Sequence, residues 1–301
     1  MTPDLTTIIL THNEAIHIAR AIRSVEGISR RILVVDSFST DATVEIARGL
    51  GAEVMCHPFV NQARQFQWAM DNGGVDTAWV LRLDADEIIE DDLAAEIAER
   101  LPALGPETVG VNLKRKHIFL GRWIRHGGRY PLLMLRIFRA GHGRVEDRWM
   151  DEHILVEGGD VVVFEGGFAD HNLNGLGYFI DKHNRYATRE AVQTLIDRST
   201  DAADPMRLSG GSRQARFKRY VKTRLYDRVP YHISSLAYFL YRYFIRIGFA
   251  DGYPGLIYHF LQGFWYRFLV GSKIYEIELG MRGLSAEERP AHIARVTGVA
   301  P

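Results

Sequence analysis

Leu81-Arg82-Leu83-Asp84-Ala85-Asp86-Glu87 decides how the rest of the chain is read. Trp79 to Leu83 is a short apolar run of strand character, and two carboxylates follow, two residues apart, where such a strand should end. In extended chain, residues i and i+2 point to the same face, so this spacing predicts that Asp84 and Asp86 can share one cation. Hard divalent ions such as Mg2+ or Mn2+ take oxygen ligands of this kind, often one or two carboxylates with substrate phosphates filling the shell. The same residues also suit a plain acidic turn into a helix begun by Glu90, Asp91 and Asp92, and Asp-X-Asp alone is a weak signal. What comes before it decides between the two.

Leu5 to Leu10 is a β-type apolar run ending at Thr11-His12-Asn13-Glu14, after which Ile18, Ile22 and Val25 recur at helical spacing. A second strand, Arg31 to Val35, ends in Asp36-Ser37-Phe38-Ser39-Thr40-Asp41, with Asp41 placed to cap a helix carrying Val44 and Ala47. Glu53 to Cys56 reads as a third strand, and a helix is expected from Asn61 to Met70. Strands and helices alternating at this spacing imply a mostly parallel sheet with right-handed crossovers, and such sheets bind ligands beyond the carboxyl ends of their strands. Thr11, Asn13, Asp36 and the Asp84/Asp86 pair all fall at such ends. No Gly-X-Gly-X-X-Gly follows the first strand and no Gly-X-X-X-X-Gly-Lys-Ser/Thr occurs, which argues against a dinucleotide fold and a P-loop. A nucleotide here would be held by side chains and a metal.

The chain of 301 residues has room for one large domain or a domain with an appendage. Its 47% apolar and 25% charged residues are those of an ordinary globular protein, and a net charge of zero gives no sign of nucleic acid. The single cysteine, Cys56, excludes an intrachain disulfide, fits a reducing compartment and is expected to be a buried strand thiol. The N-terminal apolar run is too short for a signal peptide and is read as the first strand.

Beyond Leu101 the pattern changes. Val109 to Lys114, Leu132 to Phe138 and His153 to Val156 read as strands, separated by loops that include Arg122, Trp123, Arg125, His126 and Arg129-Tyr130. Aromatic and basic loop residues can stack on a sugar and pair with phosphate, or simply be solvated. Ser209-Gly210-Gly211-Ser212 looks like a hinge. From Ser212 to Arg228, seven Arg or Lys stand against one Asp, and Tyr231 to Phe249 and Tyr253 to Ile277 are rich in aromatic and aliphatic residues. Arg242, Arg246 and Arg267 interrupt those runs, so none is a comfortable bilayer span; a basic, aromatic amphipathic hairpin fits the membrane interface, or the face of a homodimer. The expected division is a catalytic domain over 1–208 and a helical, membrane-associating region over 209–301.

Taken together these stretches resemble the family 2 glycosyltransferases of the GT-A fold, most of all bacterial enzymes of lipopolysaccharide-core and exopolysaccharide assembly. The resemblance rests on Ile9 to Glu14, on Val34 to Thr43, on Leu83 to Glu87, and on Met150-Asp151-Glu152-His153 with Asp170-His171 and Lys182 to Tyr186. It implies that Thr11, Asn13 and Glu14 line a nucleotide pocket beside Ser37, Gln65 and Ala85, and that Asp36 accepts a hydrogen bond from the uracil of a UDP-sugar. It implies further that Asp84 and Asp86 address the ribose and a Mg2+ or Mn2+ on the diphosphate, Asp86 being the surer ligand, with His171 completing the shell or touching phosphate. Lys182 and Arg185 are candidates for holding the diphosphate. Many relatives have His-Glu where this chain has Asp151-Glu152, so Glu152 is the first candidate for the base and Asp151 the second. Relatives often carry a basic residue at the position of Phe66, a charge that Arg64 is expected to supply instead.

The activity so implied is inverting transfer of a sugar to a lipid-linked saccharide at the cytoplasmic face of the bacterial inner membrane. Transfer to polyprenyl phosphate itself, or an inactive sugar- or membrane-binding scaffold, are the alternatives. A nucleotidyltransferase is disfavoured because its glycine-rich, Arg-containing N-terminal loop is missing.

Overall fold

Apolar residues on both faces of successive strands require a sheet covered on both sides. The computed structural model describes residues 2–146, 154–203 and 230–298, and has that sheet. β1 (Leu5–Thr11), β2 (Arg31–Asp36), β3 (Glu53–Cys56) and β4 (Trp79–Asp84) pair in parallel in the order β3-β2-β1-β4. Between them run α1 (Ile18–Val25), α2 (Thr43–Gly49) and α3 (Gln62–Asn72). Strand alternation sorts the core: Leu5, Ile9 and Val34 pack with Ile18, Ile22 and Val25 of α1, whereas Ile8, Leu10, Leu33 and Val35 pack with Phe66 and Ala69 of α3. Ala42, not Asp41, occupies the N-cap of α2; Asp41 stands one residue earlier, its Oδ1 accepting from the Thr43 amide at 3.0 Å, and Asn61 caps α3 through the Arg64 amide at 2.8 Å. Cys56 departs from expectation. It ends a strand that, among the described residues, lies at the edge of the sheet, and it is exposed.

Beyond β4 the sheet becomes mixed. A short β5 (Glu87–Ile89) precedes α4 (Asp91–Arg100), where Glu90, Asp91 and Asp92 do begin the helix. The strands β6 (Thr108–Phe119), β7 (Arg122–Trp123), β8 (Leu132–Arg139), β9 (Gly143–Val145), β10 (Ile154–Val156) and β11 (Asp160–Asp170) follow. β8 joins β4 antiparallel, β6 joins β8 antiparallel, β11 runs parallel to β6, and β5 closes the order against β11. Asp170 is thereby set opposite Glu87, bringing a residue from far along the chain to the end of the decisive stretch.

These elements form the first of two units, Met1–Leu173, and the second is Asn174–Pro301. The boundary at 208/209, the hinge and the basic segment expected from sequence lie outside the described residues, as do Asp151, Glu152 and His153. In the second unit α5 (Leu176–Ala203) precedes α6 (Tyr231–Leu240), α7 (Gly252–His259), α8 (Tyr266–Gly280) and α9 (Glu288–Thr297). Ala187 and Ala191 of α5 meet Val270, Ile274 and Ile277 of α8. His183 donates to the Phe179 carbonyl at 2.7 Å and accepts from Gln262 Nε2 at 2.5 Å, so the Lys182 to Tyr186 motif is anchored inside this unit.

Candidate active site

The register fixes the frame of the site. Thr11 lies opposite Asp36 and Leu10 opposite Asp84, so the last residues of β1, β2 and β4 form one row at the carboxyl edge of the parallel half. Thr11 Oγ1 is buried there without a hydrogen-bond partner.

The two loops above β1 and β2 are stitched together. Asn13 sits at φ +54° and its side-chain oxygen accepts from the Thr40 amide at 2.8 Å, while its own amide donates to Ser39 Oγ at 2.8 Å. The Glu14 amide donates to Thr43 Oγ1 at 2.8 Å. Asp36, almost fully buried, accepts from the Ser39 amide at 2.7 Å and from the Ser39 hydroxyl. Its carboxylate therefore shapes its own turn as well as the pocket floor. Gln65 is buried and ties α3 to this row, donating to Ser37 Oγ and to the His57 carbonyl, both at 3.1 Å. Phe66 is core, packed edge-on to Phe138 with the buried Arg82 over its face, and Arg64 is exposed.

The carboxylate pair is divided. β4 ends at Asp84, and buried Ala85 begins a turn that carries Asp86, so the alternation of an extended strand does not extend to Asp86. Asp84 faces inward, with Oδ2 3.4 Å from Arg136 and Oδ1 3.9 Å from Arg82 Nε; Oδ1 is buried and has no hydrogen-bond donor. Burial pushes this carboxyl up, but Arg136, Arg82 and Arg115 outweigh burial and hold it below the usual range. Behind it Glu87, 1% exposed, accepts from Arg136 at 2.5 Å and from the Asp84 amide at 3.0 Å. Burial, joined by the charges of Asp84 and Asp170, pushes the Glu87 carboxyl up to about 7 despite Arg136 and Arg115. Asp170 pairs with Arg115 and with His117 Nδ1, the latter at 2.8 Å.

Asp86 is turned toward the segment after β11. Its Oδ2 accepts from Asn172 Nδ2 at 2.9 Å, and its carbonyl accepts from the His171 amide at 3.0 Å. Arg20 donates to the His171 carbonyl at 2.8 Å and approaches His171 Nδ1 at 3.3 Å. A guanidinium can only donate, so Nδ1 accepts and the ring proton sits on Nε2. Burial and Arg20 also lower the His171 pKa, keeping the ring neutral. In this arrangement His171 offers an N–H, which suits a phosphate oxygen; ligation of an ion through Nε2 needs the other tautomer.

Among the described residues no group of three or more His, Cys, Asp or Glu could hold a metal ion by itself. The donor set fits an ion that draws part of its shell from a substrate diphosphate: one accessible carboxylate at Asp86 and one inward carboxylate oxygen at Asp84 without a donor. Lys182 and Arg185 lie on α5 of the second unit, where Lys182 stands 5.9 Å over the ring of Tyr186. At the end of β7, the Trp123 ring is flanked by Lys116, Arg125 and Tyr130 at 5.1, 5.3 and 4.9 Å. Sequence reasoning did not single out Arg136, Arg115 and Asn172, and gave Glu87 no role beyond closing the motif. They come from different strands and loops, and only sheet pairing reveals that they meet.

The sheet is of the GT-A type, and the glycosyl transferase family 2 profile matches residues 6–161. The chain belongs to that family. It is 44% identical over 93 residues to an uncharacterised glycosyltransferase of Rickettsia prowazekii (strain Madrid E), covering 31% of each chain. It is 26% identical over 165 residues to the succinoglycan biosynthesis protein ExoA of Rhizobium meliloti (strain 1021), covering 44% of this chain and 50% of that one. The chain thus spans a third to a half of the length of these curated relatives. Among solved structures, glucosyl-3-phosphoglycerate synthase from Mycobacterium tuberculosis, in complex with Mn2+, UDP and glucosyl-3-phosphoglycerate, aligns at 20% identity and a TM-score of 0.30, covering 38% of this chain and 43% of that one.

Proposed function

We propose that this protein transfers a sugar, with inversion, from a UDP-sugar to a lipid-linked saccharide during assembly of a cell-surface polysaccharide or lipopolysaccharide. The observation that carries the reading is the row Thr11, Asp36 and Asp84 at three adjacent strand ends, with Asp86 in the turn beyond. In this reading Asn13, Glu14, Asp36 and Ser37 form the nucleoside side of the pocket, and Asp84 offers its donor-free oxygen to the ribose or the ion. Asp86 is the principal holder of Mg2+ or Mn2+, which when bound would neutralise charge on the departing diphosphate. The acceptor hydroxyl attacks the anomeric carbon as the bond from that carbon to the diphosphate oxygen breaks on the opposite face. The hydroxyl proton passes to a carboxylate, Glu152 first and Asp151 second by sequence.

Support for a membrane-bound acceptor comes from the surface of the second unit. Phe244, Ile245, Ile247, Phe249 and Tyr253 are all exposed, Ile245 and Tyr253 at 73% each. From Tyr231 to Tyr275 the one carboxylate is Asp251, buried near His259, whereas Arg246 and Arg267 are exposed. A large exposed apolar surface edged by cations and free of exposed acid suits the interface of an anionic bilayer. No helix among the described residues is long and apolar enough to cross a membrane, so the mode proposed is interfacial, on the cytoplasmic face of the inner membrane.

The test is calorimetric titration of UDP with and without Mn2+, on the protein and on Asp86→Ala. Binding that needs the metal, and that weakens at least about tenfold in the variant, is expected from loss of a charged ligand. Equal binding by Asp86→Ala would overturn the assignment of the site. Absence of UDP binding by the unmodified protein would overturn the donor.

A further inference from the structure

His17 is fully buried at the start of α1, and both of its ring nitrogens are engaged. Nε2 lies 2.8 Å from the amide of Leu173, which can only donate. Nε2 is therefore the acceptor, the proton sits on Nδ1, and Nδ1 donates to Glu14 Oε2. One side chain thus joins two segments separated by more than half of the chain. One is the loop after β1, which carries Asn13 and Glu14. The other is the segment after β11, whose His171 and Asn172 hold the backbone and carboxylate of Asp86. One turn further along α1, Arg20 makes a parallel link to the His171 carbonyl.

We infer that His17 is a positioning residue: it holds the nucleoside loop and the Asp86-bearing turn in fixed register, so that the donor's base and diphosphate are gripped together. The inference rests on the donor site proposed above. A buried imidazole that accepts a backbone N–H on one side and donates to a carboxylate on the other has no slack, because its ring sets the separation of its two partners. Phe fills the same space and makes neither bond. Gln can place an acceptor near the position of Nε2, so it restores the link to Leu173. Asn can donate to Glu14 but is too short to reach Leu173.

The experiment compares His17→Phe and His17→Gln in Mn2+-dependent UDP binding by calorimetry and in amide hydrogen exchange at Leu173. Loss of a buried hydrogen bond that orders a site is read as roughly a tenfold weakening of UDP binding in His17→Phe, with exchange at Leu173 accelerated. His17→Gln is expected to stay within about threefold of the parent, since the acceptor at Leu173 is retained. If His17→Phe does not fold, His17→Asn takes its place, with the same expectation. In turnover the loss should appear in the KM for donor rather than in kcat. Accelerated exchange at Leu173 with unchanged UDP binding would overturn the inference and leave His17 a purely structural residue. Unchanged exchange would overturn it as well, because the bond would not be holding the segment. If the unmodified protein binds no UDP, the functional reading itself falls and the role of His17 falls with it, a result the parent titration separates from the other two.

Discussion

Glu87 makes a quantitative prediction about stability and pH. Its carboxyl is pushed from an ordinary value of 4.5 to about 7, chiefly by burial and also by Asp84 and Asp170. Below pH 4.5 the group carries a proton in both the folded and the unfolded chain. Between 4.5 and 7 the unfolded chain releases that proton and the folded chain keeps it, so stability is lost as pH rises through this window. Above about 7 the loss is complete, and its size is roughly 3 kcal/mol. Glu87→Gln removes the titration: its amide oxygen still accepts from the Asp84 amide, and the cost of turning an NH2 toward Arg136 does not depend on pH. The assay is urea unfolding of both proteins at fixed ionic strength at pH 5, 6, 7 and 8. The unmodified protein should lose roughly 2–3 kcal/mol relative to the variant across that series, the remainder of the loss lying below pH 5. A difference that stays constant with pH would show Glu87 ionised throughout and paired with Arg136, refuting the reasoning.

Two further perturbations probe the loops and the surface. Phe38 sits at φ +60° beside Asp36 and is more than half exposed, so Phe38→Gly should relieve about 1 kcal/mol of left-handed strain, offset in part by the extra freedom of glycine in the unfolded chain. Thermal unfolding should show no loss of stability; a loss above about 1 kcal/mol would mean that the ring packs against something the strain argument omits. Ile245→Glu with Phe249→Glu should cut co-flotation with phosphatidylglycerol vesicles at least about tenfold, since two apolar side chains of this size are each worth roughly 1.5–3 kcal/mol when buried. Unchanged flotation of the double variant, or none by the parent, would refute the membrane-facing surface.

The parallel half of the fold was legible because each of its strands is apolar on both faces and ends at a turn signal. The mixed half was harder to read for identifiable reasons. β5 is only three residues long and contains Glu87, a charged residue that the structure buries against arginine. β11 runs from Asp160 to Asp170 through Gly166 and Gly167, two residues with no side chain to mark a strand. A Cβ at Gly166 would stand 2.5 Å from the Leu93 Cα, so the glycine is what lets α4 lie against the strand. At the site, the strand-end carboxylates could be found from spacing alone. Arg82 was visible as a neighbour of Asp84, but Arg115, Arg136 and Asp170 reach it only through the pairing of β4 with β8, β8 with β6 and β6 with β11.

The same pairing explains why two carboxylates so close in sequence do different work. An isolated buried Asp84 would be driven toward its protonated form. Here Arg82, Arg115 and Arg136 face Asp84, Glu87 and Asp170, and the charges balance only if all three acids are ionised. Glu87, the most deeply enclosed, is where a proton is most easily kept, and keeping it leaves Asp84 ionised with the arginines in excess. Asp86 also feels arginine charge, from Arg20 and Arg115. It lies beyond the strand end, partly buried, and its Oδ2 accepts from the side-chain amide of Asn172. The two differ in their hydrogen bonds: Asp86 Oδ2 is met by the side-chain amide of Asn172, Asp84 Oδ2 by the Arg136 guanidinium. Asp86→Asn should therefore abolish metal-dependent UDP binding while leaving unfolding free energy within about 1 kcal/mol of the parent, as expected for a partly exposed side chain. Asp84→Asn should instead destabilise the first unit, by roughly 1–3 kcal/mol, because it removes a charge that faces the buried Arg82 and Arg136. If the two variants behaved alike in both assays, the division of labour between these carboxylates would be wrong.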